Sequence, residues 1–400
     1  MARLAFFNLP AYGHVNPTLP VVAELIRRGE SVVYYCGEEF RQGVERSGAE
    51  FRSYSPPLEE DPGEAAANPL HLAAFLLETS SDVLPSVLQD LEKNPVDYVI
   101  HDSVCPWGRY AAQILRLPAV CSSTTFALRS ELFLPGTARS RLWSVPATLL
   151  RNLPSLRRIR RSRRYLDSVY GVTATRVFDV LANRAGLNIV YTAREFQPRA
   201  ELFDDSYRFV GPPVTPLEPD AEFARELGDA PVIYISLGTI FNQAPDFYQT
   251  CLRALGGLPQ RVVMSVGRQT DVSQLGPVPS NFVIRNWAPQ RFALSRASLF
   301  LTRGGLNSVS ESLLAGVPLL VFPQIGEQQL VATQVRDAGA GLIMSERGLR
   351  ADDLRRKVDL VSGDPRFQQA AQRMGVTLRA GGGHEKAADE ILRYRESQVR

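Results

Sequence analysis

The segment that decides the fold lies in the second half of the chain, where residues 287–329 read WAPQRFALSRASLFLTRGGLNSVSESLLAGVPLLVFPQIGEQQ. Two short apolar runs, Leu299–Thr302 and Leu319–Phe322, flank a stretch whose apolar residues follow helical spacing. The pair Gly304-Gly305 stands between the first run and that stretch. Apolar strands that are separated by helices are typical of a parallel sheet that is buried on both faces.

The same alternation of strand and helix patterns extends over both halves of the chain. Right-handed crossovers between such strands give a doubly wound unit in each half, so the predicted fold class is α/β with two Rossmann-like parallel-sheet domains. Besides the two runs above, the predicted strands are Leu4–Asn8, Val32–Tyr35, Tyr98–His101, Ala119–Ser122, Ile189–Tyr191, Val232–Ser236, Val262–Val266 and Phe282–Arg285.

A proline-rich stretch, residues 210–219, separates the two halves and predicts an interdomain linker. A length of 400 residues also suits two domains. We therefore expect a first domain over residues 1–212, a linker over 213–222, a second domain over 223–384 and a terminal helix over 385–400. Ligands of open α/β sheets bind beyond the carboxyl ends of the strands, so a cleft between the domains is the expected site.

The overall composition is that of an ordinary globular protein, with 44% hydrophobic and 22% charged residues. The formal net charge of +3 gives no reason to propose nucleic acid as a partner. No run approaches the roughly 20 apolar residues that span a bilayer, and Met1–Asn8 lacks the features of a signal peptide. These features favour a cytoplasmic protein.

Neither the cysteines nor the four histidines follow the spacing of a metal site. The cysteines, Cys36, Cys105, Cys121 and Cys251, form no CxxC pair and suggest no disulfide framework. Core packing is the expected role of such thiols. No DxD-type pair of carboxylates accompanies the segment that begins at Trp287. We therefore expect neither a metal nor a resident cofactor.

One segment, Arg151–Arg164, is unusually basic and contains seven arginines. The favoured interpretation is a solvated helix face whose arginine stems cover apolar surface. The alternative is weak contact of this segment with a membrane that contains anionic lipid, or with an acidic partner.

His14 follows the first predicted strand, in the turn that leads into a helical pattern. Asn16 is the predicted N-cap of that helix and Pro17 its first residue. A histidine at the carboxyl end of a strand is well placed to act as a general base. The alternative is a loop histidine that is bonded to backbone. The turn is not GxGxxG, which argues against a dinucleotide-binding fingerprint.

Asp102 ends the strand Tyr98–His101 and strengthens the case for His14. Two strands of one parallel sheet can bring Asp102 next to His14, where a carboxylate fixes the tautomer and stabilises the imidazolium. The alternative is that Asp102 caps the helix after Pro106. His101 points to the opposite face of its strand, which favours a place in the core or behind the site.

The glycine pair Gly304-Gly305 opens a helix directly after a strand, so its backbone amides can approach an anion closely. The helix N-terminus then offers N–H groups and a positive dipole end to a diphosphate. Glu311 lies one turn into that helix and can accept both ribose hydroxyls. Trp287 supplies a flat face for a base, and the turn of residues 236–239 gives a second small polar turn for phosphate.

These four ordered motifs together resemble the UDP-dependent glycosyltransferases, in particular the bacterial macrolide and flavonoid glycosyltransferases, which have the two-domain GT-B fold. The motifs are the Gly13-His14 turn, Asp102, residues 236–239 and the block that begins at Trp287, so the resemblance covers nearly the whole chain. It implies a GT-B fold whose C-terminal helix packs back on the first domain.

The resemblance also implies individual roles in donor binding. Trp287 resembles the residue that stacks on uracil, Gln290 a ribose contact, and Glu311 the ribose-binding carboxylate, which suits UDP better than a deoxyribose donor. Glu327 and Gln328 resemble the pair that holds sugar hydroxyls. The residues expected at the diphosphate are Ser236, Gly238, Thr239, Gly304, Gly305, Asn307 and Ser308.

His14 and Asp102 resemble the family's base and its orienting acid, and Thr124 or Thr125 is expected to approach the donor sugar. One position departs from the family pattern: Arg303 stands where the family usually has a phosphate-contacting histidine. Arginine can bond a diphosphate in a bidentate way, so we expect function to be retained. The competing interpretation is that this bulkier side chain swings away and weakens the donor site.

The sequence thus predicts an inverting hexosyltransferase, with glucose as the default sugar and a small, largely apolar acceptor such as a macrolide or polyphenol. The alternatives are a membrane-associated lipid glycosyltransferase and a catalytically silent protein that binds a nucleotide sugar or a partner. Residues from about 58 to 164 should build the acceptor pocket, with apolar side chains that include Phe75, Leu76, Leu77, Phe126, Leu132, Phe133 and Trp143.

Overall fold

The structure is a computed structural model that describes residues 2–58, 65, 68–133, 145–172, 177–217, 220–239 and 242–398. Its residues form two compact units. The first comprises Met1–Pro213 together with Gly381–Arg400, and the second comprises Val214–Ala380. The change of unit after Pro213 lies in the proline-rich stretch, and the chain returns to the first unit at Gly381.

The first unit contains a parallel sheet of seven described strands in the order β3-β2-β1-β4-β5-β6-β7. In this order the chain works outward from β1 in one direction and then from β4 in the other, which is the doubly wound arrangement. The strands are β1 Arg3–Phe7, β2 Ser31–Cys36, β3 Glu50–Ser53, β4 Tyr98–Asp102, β5 Ala119–Ser123, β6 Leu187–Val190 and β7 Tyr207–Phe209.

The second unit contains a parallel sheet of six described strands in the order β10-β9-β8-β11-β12-β13. The register pairs Thr302, at the end of β11, with Ser236, at the end of β8. The two predicted phosphate turns therefore leave the same edge of the sheet side by side. The strands are β8 Val232–Ser236, β9 Arg261–Ser265, β10 Phe282–Arg285, β11 Ala297–Thr302, β12 Leu319–Val321 and β13 Gly341–Ile343.

Helices connect the strands and cover the faces of both sheets, as parallel strands require. In chain order, the described helices α1 to α15 are Tyr12–Val15, Leu19–Arg27, Arg41–Arg46, Pro69–Lys93, Pro106–Leu115, Val145–Tyr170, Val177–Ala182, Ala221–Leu227, Pro245–Leu255, Gln290–Arg296, Leu306–Leu314, Gly326–Asp337, Ala351–Gly363, Pro365–Ala380 and Gly383–Gln398.

The C-terminal helix α15 packs on the first unit, as the family resemblance implies. Ala387, Ala388 and Ile391 are buried in the same hydrophobic cluster as the core residues of β1 and α2. Arg395 pairs with the buried Glu30, which fixes the end of this helix.

The predicted fold class is confirmed, since each of the ten predicted strands overlaps a strand of these two parallel sheets. The prediction missed β3, β7 and β13, which are short and lie at sheet edges. An edge strand pairs on one side only, so its sequence need not be a continuous apolar run. Glu50–Ser53 reads EFRS and Tyr207–Phe209 reads YRF, which carry charged residues within the strand.

The whole arginine-rich segment lies in helix α6, which packs against α4. Ile159 and Leu166 are buried on this helix, and Arg158 forms a bidentate ion pair with Glu78 of α4. Arg157, Arg160, Arg161 and Arg164 are exposed, which is the arrangement of a solvated helix face. Nothing in this arrangement supports the membrane contact that was the alternative. Among the described helices, none combines the length and apolar character that a membrane span needs.

The four cysteines are buried as free thiols, and burial raises the pKa of each one. A buried thiol with a raised pKa is protonated and inert at neutral pH. Core packing is therefore the role that the structure gives them.

Candidate active site

His14 and Asp102 lie together at the carboxyl edge of the first sheet. Strands β1 and β4 are neighbours, with Phe7 opposite His101, so the chain that follows each strand emerges at the same place. His14 Nδ1 lies 2.9 Å from Asp102 Oδ2. The Asp102 side chain is fully buried and that of His14 is 18% exposed. Because an ionised carboxylate only accepts hydrogen bonds, Nδ1 is the ring nitrogen that carries the proton.

The second carboxylate oxygen of Asp102 is also held, since Oδ1 accepts a hydrogen bond of 2.7 Å from the backbone amide of Val104. This bond closes a short turn after β4. The N-cap of the following helix α5 is Cys105, so Asp102 does not cap that helix directly. Both oxygens of the carboxylate are thus fixed, and Oδ2 is directed at the imidazole.

Thr124 takes part in the same cluster, which the sequence did not predict. Its Oγ1 lies 3.0 Å from His14 Nδ1 and 3.4 Å from Asp102 Oδ2, and the residue is 2% exposed. Thr124 follows β5, the neighbour of β4. This geometry indicates that the Thr124 hydroxyl supports the His14–Asp102 pair. The expected contact of Thr124 with a donor sugar stays a prediction.

The turn that carries His14 differs from the prediction in its helix start. His14 lies in the one-turn helix α1, and the N-cap of α2 is Thr18, so the prediction of Asn16 as N-cap with Pro17 as the first residue was wrong. Asn16 instead ends α1, because the chain makes one extra helical turn before α2 begins.

Hydrogen bonds from buried side chains hold the backbone of this turn. The side-chain amide of Asn8, at the end of β1, donates to the backbone oxygen of His14 at 3.1 Å and to the hydroxyl of Tyr34 at 2.6 Å. The hydroxyl of Thr18 donates to the backbone oxygen of Val15 at 2.8 Å. Hydrogen bonds therefore hold the backbone of His14 as well as its ring. A polar residue at a strand end was the available sequence signal for Asn8.

His101 is completely buried behind Asp102, as expected of a residue on the opposite face of the strand. Its Nδ1 donates to the backbone oxygen of Asp102 at 3.1 Å, and the side-chain amide of Asn183 donates to the same oxygen at 3.0 Å. Burial lowers the pKa of His101 to about 4. A neutral imidazole therefore supports the backbone of Asp102 at neutral pH.

In the second unit, the glycine pair forms the turn between β11 and α11. Gly304 has φ +87°, and a Cβ there would lie 2.7 Å from Val321 Cγ1, so only glycine fits. Gly305 is the N-cap of α11, with φ −60°, and a Cβ at this exposed position would meet no atom within 4 Å. The first amides of α11 thus begin at a surface that an anion can approach closely.

The predicted ribose contacts lie together on α10 and α11. Gln290 Nε2 donates to Glu311 Oε2 at 2.7 Å and to Ser308 Oγ at 3.1 Å. Burial raises the pKa of Glu311, and the bond from Gln290 opposes that effect. Trp287 is 64% exposed, which leaves a face of the indole available to a planar ligand.

The other predicted donor residues also lie at the carboxyl edge of the second sheet. Ser236 ends β8 and is buried, Gly238 has φ +87°, and Thr239 is exposed. Asn307 lies in the first turn of α11 and is partly exposed.

Glu327 and Gln328 lie in the first turn of α12, where Glu327 is exposed. Gln328 has a structural task as well, since its Oε1 accepts a bond of 2.8 Å from the backbone amide of Gln324. A bond to a sugar hydroxyl would therefore use its Nε2 group.

Arg303 is paired with a residue that the sequence did not single out. Its Nε and Nη2 lie 3.0 and 3.2 Å from the two carboxylate oxygens of Glu346, and the arginine side chain is 4% exposed. The Nε/Nη2 edge of the guanidinium is thus occupied by a carboxylate. This pairing weighs against the expected bidentate bond to a diphosphate, which stays a prediction.

Two further expectations concern metals and the acceptor. Among the residues that the structure describes, no three His, Cys, Asp or Glu side chains lie together as a metal site would require. Of the residues expected around the acceptor, Phe75, Leu76 and Leu77 pack inside the core of the first unit. Trp143 and the Phe133 side chain lie outside the described residues.

A doubly wound unit that carries a histidine–aspartate pair, followed by a second one that carries a glycine turn at a helix N-terminus, defines the class of protein as a GT-B glycosyltransferase. Comparison with known proteins agrees with this class. The chain belongs to the UDP-glucoronosyl and UDP-glucosyl transferase family, whose sequence profile matches residues 209–377.

Two relatives and one solved structure illustrate the similarity. The chain is 33% identical to the uncharacterized UDP-glucosyltransferase YojK of Bacillus subtilis, over 98% of this chain and 97% of that protein. It is 34% identical to the NDP-glycosyltransferase YjiC of the same organism, over 97% and 96% of the two chains. The crystal structure of the glycotransferase of kitacinnamycin matches with a TM-score of 0.86 and 27% identity, over 98% of each chain.

Proposed function

We propose that the protein is a metal-independent, inverting glycosyltransferase that moves a hexose, with glucose as the default, from a UDP-sugar to a hydroxyl group of a small, largely apolar acceptor such as a macrolide or polyphenol. The observation that carries the proposal is the His14–Asp102 pair, whose Nδ1 and Oδ2 atoms lie 2.9 Å apart. A buried carboxylate that is bonded to one ring nitrogen of a histidine can fix its tautomer and orient it as a base, which supports the proposal.

In the proposed reaction, His14 removes the proton of the acceptor hydroxyl. The proton is accepted at Nε2, because Nδ1 faces Asp102. Asp102 keeps the ring in this tautomer and stabilises the imidazolium that forms. The hydroxyl of Thr124 and the backbone bond from Asn8 hold the same ring and turn in place.

The acceptor oxygen then forms a bond to the anomeric carbon of the sugar while the bond from that carbon to the diphosphate oxygen breaks. The electron pair leaves with UDP, and a single displacement inverts the configuration. The amides of the glycine turn and the N-terminus of α11 stabilise the negative charge of the departing diphosphate. That stabilisation would come from backbone groups and requires no metal.

The UDP and acceptor assignments have separate support. The carboxylate of Glu311, held by Gln290, suits the two hydroxyls of a ribose, and YojK bears the name of a UDP-glucosyltransferase. The wider name of YjiC, an NDP-glycosyltransferase, makes the choice of nucleotide the first point to test. The similarity to the glycotransferase of kitacinnamycin supports a natural product as acceptor.

The test is a matrix of donors and acceptors with mass detection of products. UDP-glucose, UDP-N-acetylglucosamine and TDP-glucose are each offered with a macrolide alcohol and a polyphenol. We expect glycosylated product, a preference for UDP over TDP donors, and an anomeric coupling in the product that shows inversion. Turnover should persist in EDTA. Product with retained configuration, or activity that a chelator abolishes and Mg²⁺ or Mn²⁺ restores, would contradict the proposal.

A further inference from the structure

We propose that Glu346 is a positioning residue of the donor site. It would set the spacing between the Gly304-Gly305 turn, where the diphosphate is expected, and the Glu327–Gln328 pair, where the sugar is expected. This inference rests on the proposed function, because it concerns the same UDP-sugar. It gives the arginine that departs from the family pattern a role other than phosphate binding.

One carboxylate joins loops that follow three neighbouring strands. Strands β11, β12 and β13 are adjacent in the second sheet, and Arg303, Gln324 and Glu346 follow them in turn. Glu346 binds Arg303 through both of its oxygens, and its Oε2 also accepts a bond of 3.0 Å from Gln324 Nε2. The three loops are therefore tied at a single point.

The Arg303 end of this connection is rigid. Arg303 directly precedes Gly304 in the chain, and its side chain is 4% exposed while that of Glu346 is 22% exposed. A buried guanidinium requires an opposite charge, and Glu346 supplies it along the planar edge formed by Nε and Nη2. Glu346 therefore compensates the charge and fixes the direction of the side chain that directly precedes the glycine turn.

The Gln324 end leads to the residues expected at the sugar. The backbone amides of Gln324 and Ile325 donate to Gln328 Oε1 at 2.8 and 3.4 Å. These bonds cap α12 and fix the plane of the Gln328 carboxamide. A Cβ at Gly304 would lie 3.4 Å from the backbone oxygen of Gln328, so the glycine turn and the start of α12 are also in direct proximity.

A mispositioned loop should affect the intact donor more than the nucleotide alone, because only the intact donor must reach both the glycine turn and the Glu327–Gln328 pair. The variant Glu346→Gln keeps the volume and one acceptor oxygen but removes the charge. We expect it to weaken UDP-glucose binding about tenfold or more, as is typical of losing a charged hydrogen bond. The affinity for UDP should change by less than about threefold, and the KM for the acceptor should stay unchanged.

Arg303→His combined with Glu346→Gln tests whether the two residues act as one unit. Replacing both partners leaves no unpaired charge, so the double variant should bind UDP-glucose better than the sum of the two single losses predicts. Glu390→Gln is the matched control, since Glu390 is a 7% exposed acid with an arginine partner in the first unit. It should leave donor affinity unchanged. If Glu346→Gln does not fold, Glu346→Asp, which keeps the charge but shortens the side chain, takes its place in these measurements.

Calorimetric titration of wild type and variants with UDP and with UDP-glucose distinguishes the outcomes. If wild type binds neither ligand, the proposed function fails. If wild type binds both and Glu346→Gln loses only thermal stability, Glu346 is merely structural and the inference fails. Equal losses for UDP and UDP-glucose would also overturn it, as would tighter UDP binding by Glu346→Gln, which would identify Arg303 as a phosphate ligand held back by the acid.

Discussion

The carboxyl edges of the two sheets are built in different ways. In the first unit, the side chains of His14, Asp102 and Thr124 bond to one another, and the acid is completely buried. In the second unit, a Cβ at Gly305 would meet no atom within 4 Å, and Trp287 is 64% exposed.

This difference matches the two tasks that we propose for the edges, which are to orient a base and to bind a diphosphate. A base needs one tautomer and one direction, which side-chain bonds can fix before any ligand arrives. A diphosphate needs close approach to backbone amides, which requires that side chains be absent. Substitutions in the first unit should therefore change the rate of the chemical step, and those in the second should change donor affinity.

The largest effect is expected at His14, the proposed base. His14→Ala should lower kcat by about 10²- to 10⁴-fold, the range that general-base catalysis contributes. Asp102→Asn should cause a loss of similar order, because it keeps the bond from Val104 but removes the charge that stabilises the imidazolium. The KM for UDP-sugar should change little in both variants. Steady-state kinetics with saturating acceptor provides the measurement.

The matched control is His384→Ala, at the start of α15 and outside the proposed site. It should retain the wild-type kcat. The proposed division of tasks between the two sheet edges would be contradicted if His14→Ala kept most of its turnover. It would also be contradicted if the only change in this variant were a higher KM for the donor.

The buried His101 gives the next largest effect, on stability. Burial lowers its pKa from the ordinary value of 6.5 to about 4. The unfolded chain therefore binds a proton at a higher pH than the folded chain does. Stability from this group is complete above pH 6.5 and is lost as the pH falls from 6.5 towards 4, by about 3 kcal/mol in total.

Urea unfolding at several pH values checks this expectation. The free energy of unfolding of His101→Gln should fall less steeply between pH 6.5 and 4 than that of wild type. His384→Gln, at a partly exposed position, serves as the comparison and should follow wild type. Parallel curves for wild type and His101→Gln would show that the fold does not exclude the charged imidazole.

The glycine turn offers a matched pair of substitutions at adjacent positions. Gly304→Ala forces a side chain into φ +87° and against Val321, so it should destabilise the second unit by roughly 1–3 kcal/mol. Gly305→Ala should change stability by no more than about 0.5 kcal/mol, because its φ is −60° and the space is open. Its methyl group should instead raise the KM for UDP-sugar.

Thermal unfolding and donor kinetics of the two variants separate stability from binding. A Gly305→Ala protein with wild-type donor KM would mean that no diphosphate approaches this turn. Such a result would move the donor site away from the N-terminus of α11.

Interior strands were predictable from sequence because burial on both faces produces continuous apolar runs such as VIYIS in β8. The edge strand β13 was not, since three residues that pair on one side leave no such run. Because β13 was not predicted, the contact between Glu346 and Arg303 was not predicted either. Glu346 lies 43 residues after Arg303, and the two side chains meet because β13 pairs with β12 in the sheet.

Site residues at strand ends were easier to predict than their local contacts. The position of Asp102 beside His14 follows from the order of β4 and β1, which a doubly wound sheet dictates. The N-cap of α2 is Thr18 and not Asn16, because the one-turn helix α1 precedes α2. A single helical turn is too short to be predicted from the spacing of apolar residues. To predict that Thr124 lies beside this pair, one also needs the position of β5. This strand is next to β4 in the sheet, so the residue that follows it lies near Asp102.

The smallest effect is expected at Trp287, an exposed residue of the proposed donor site in the second unit. Stacking of a base on an exposed indole contributes about 1 kcal/mol at the low end of its range, so Trp287→Ala should raise the KM for UDP-sugar roughly fivefold. Trp287→Phe should restore much of the affinity, because it keeps an aromatic face. The kcat should stay near wild type in both, since the proposed base, His14, lies in the other unit. A Trp287→Ala variant that lost kcat with unchanged KM would show that the second unit also controls the chemical step. The proposed separation of tasks between the two sheet edges would then fail.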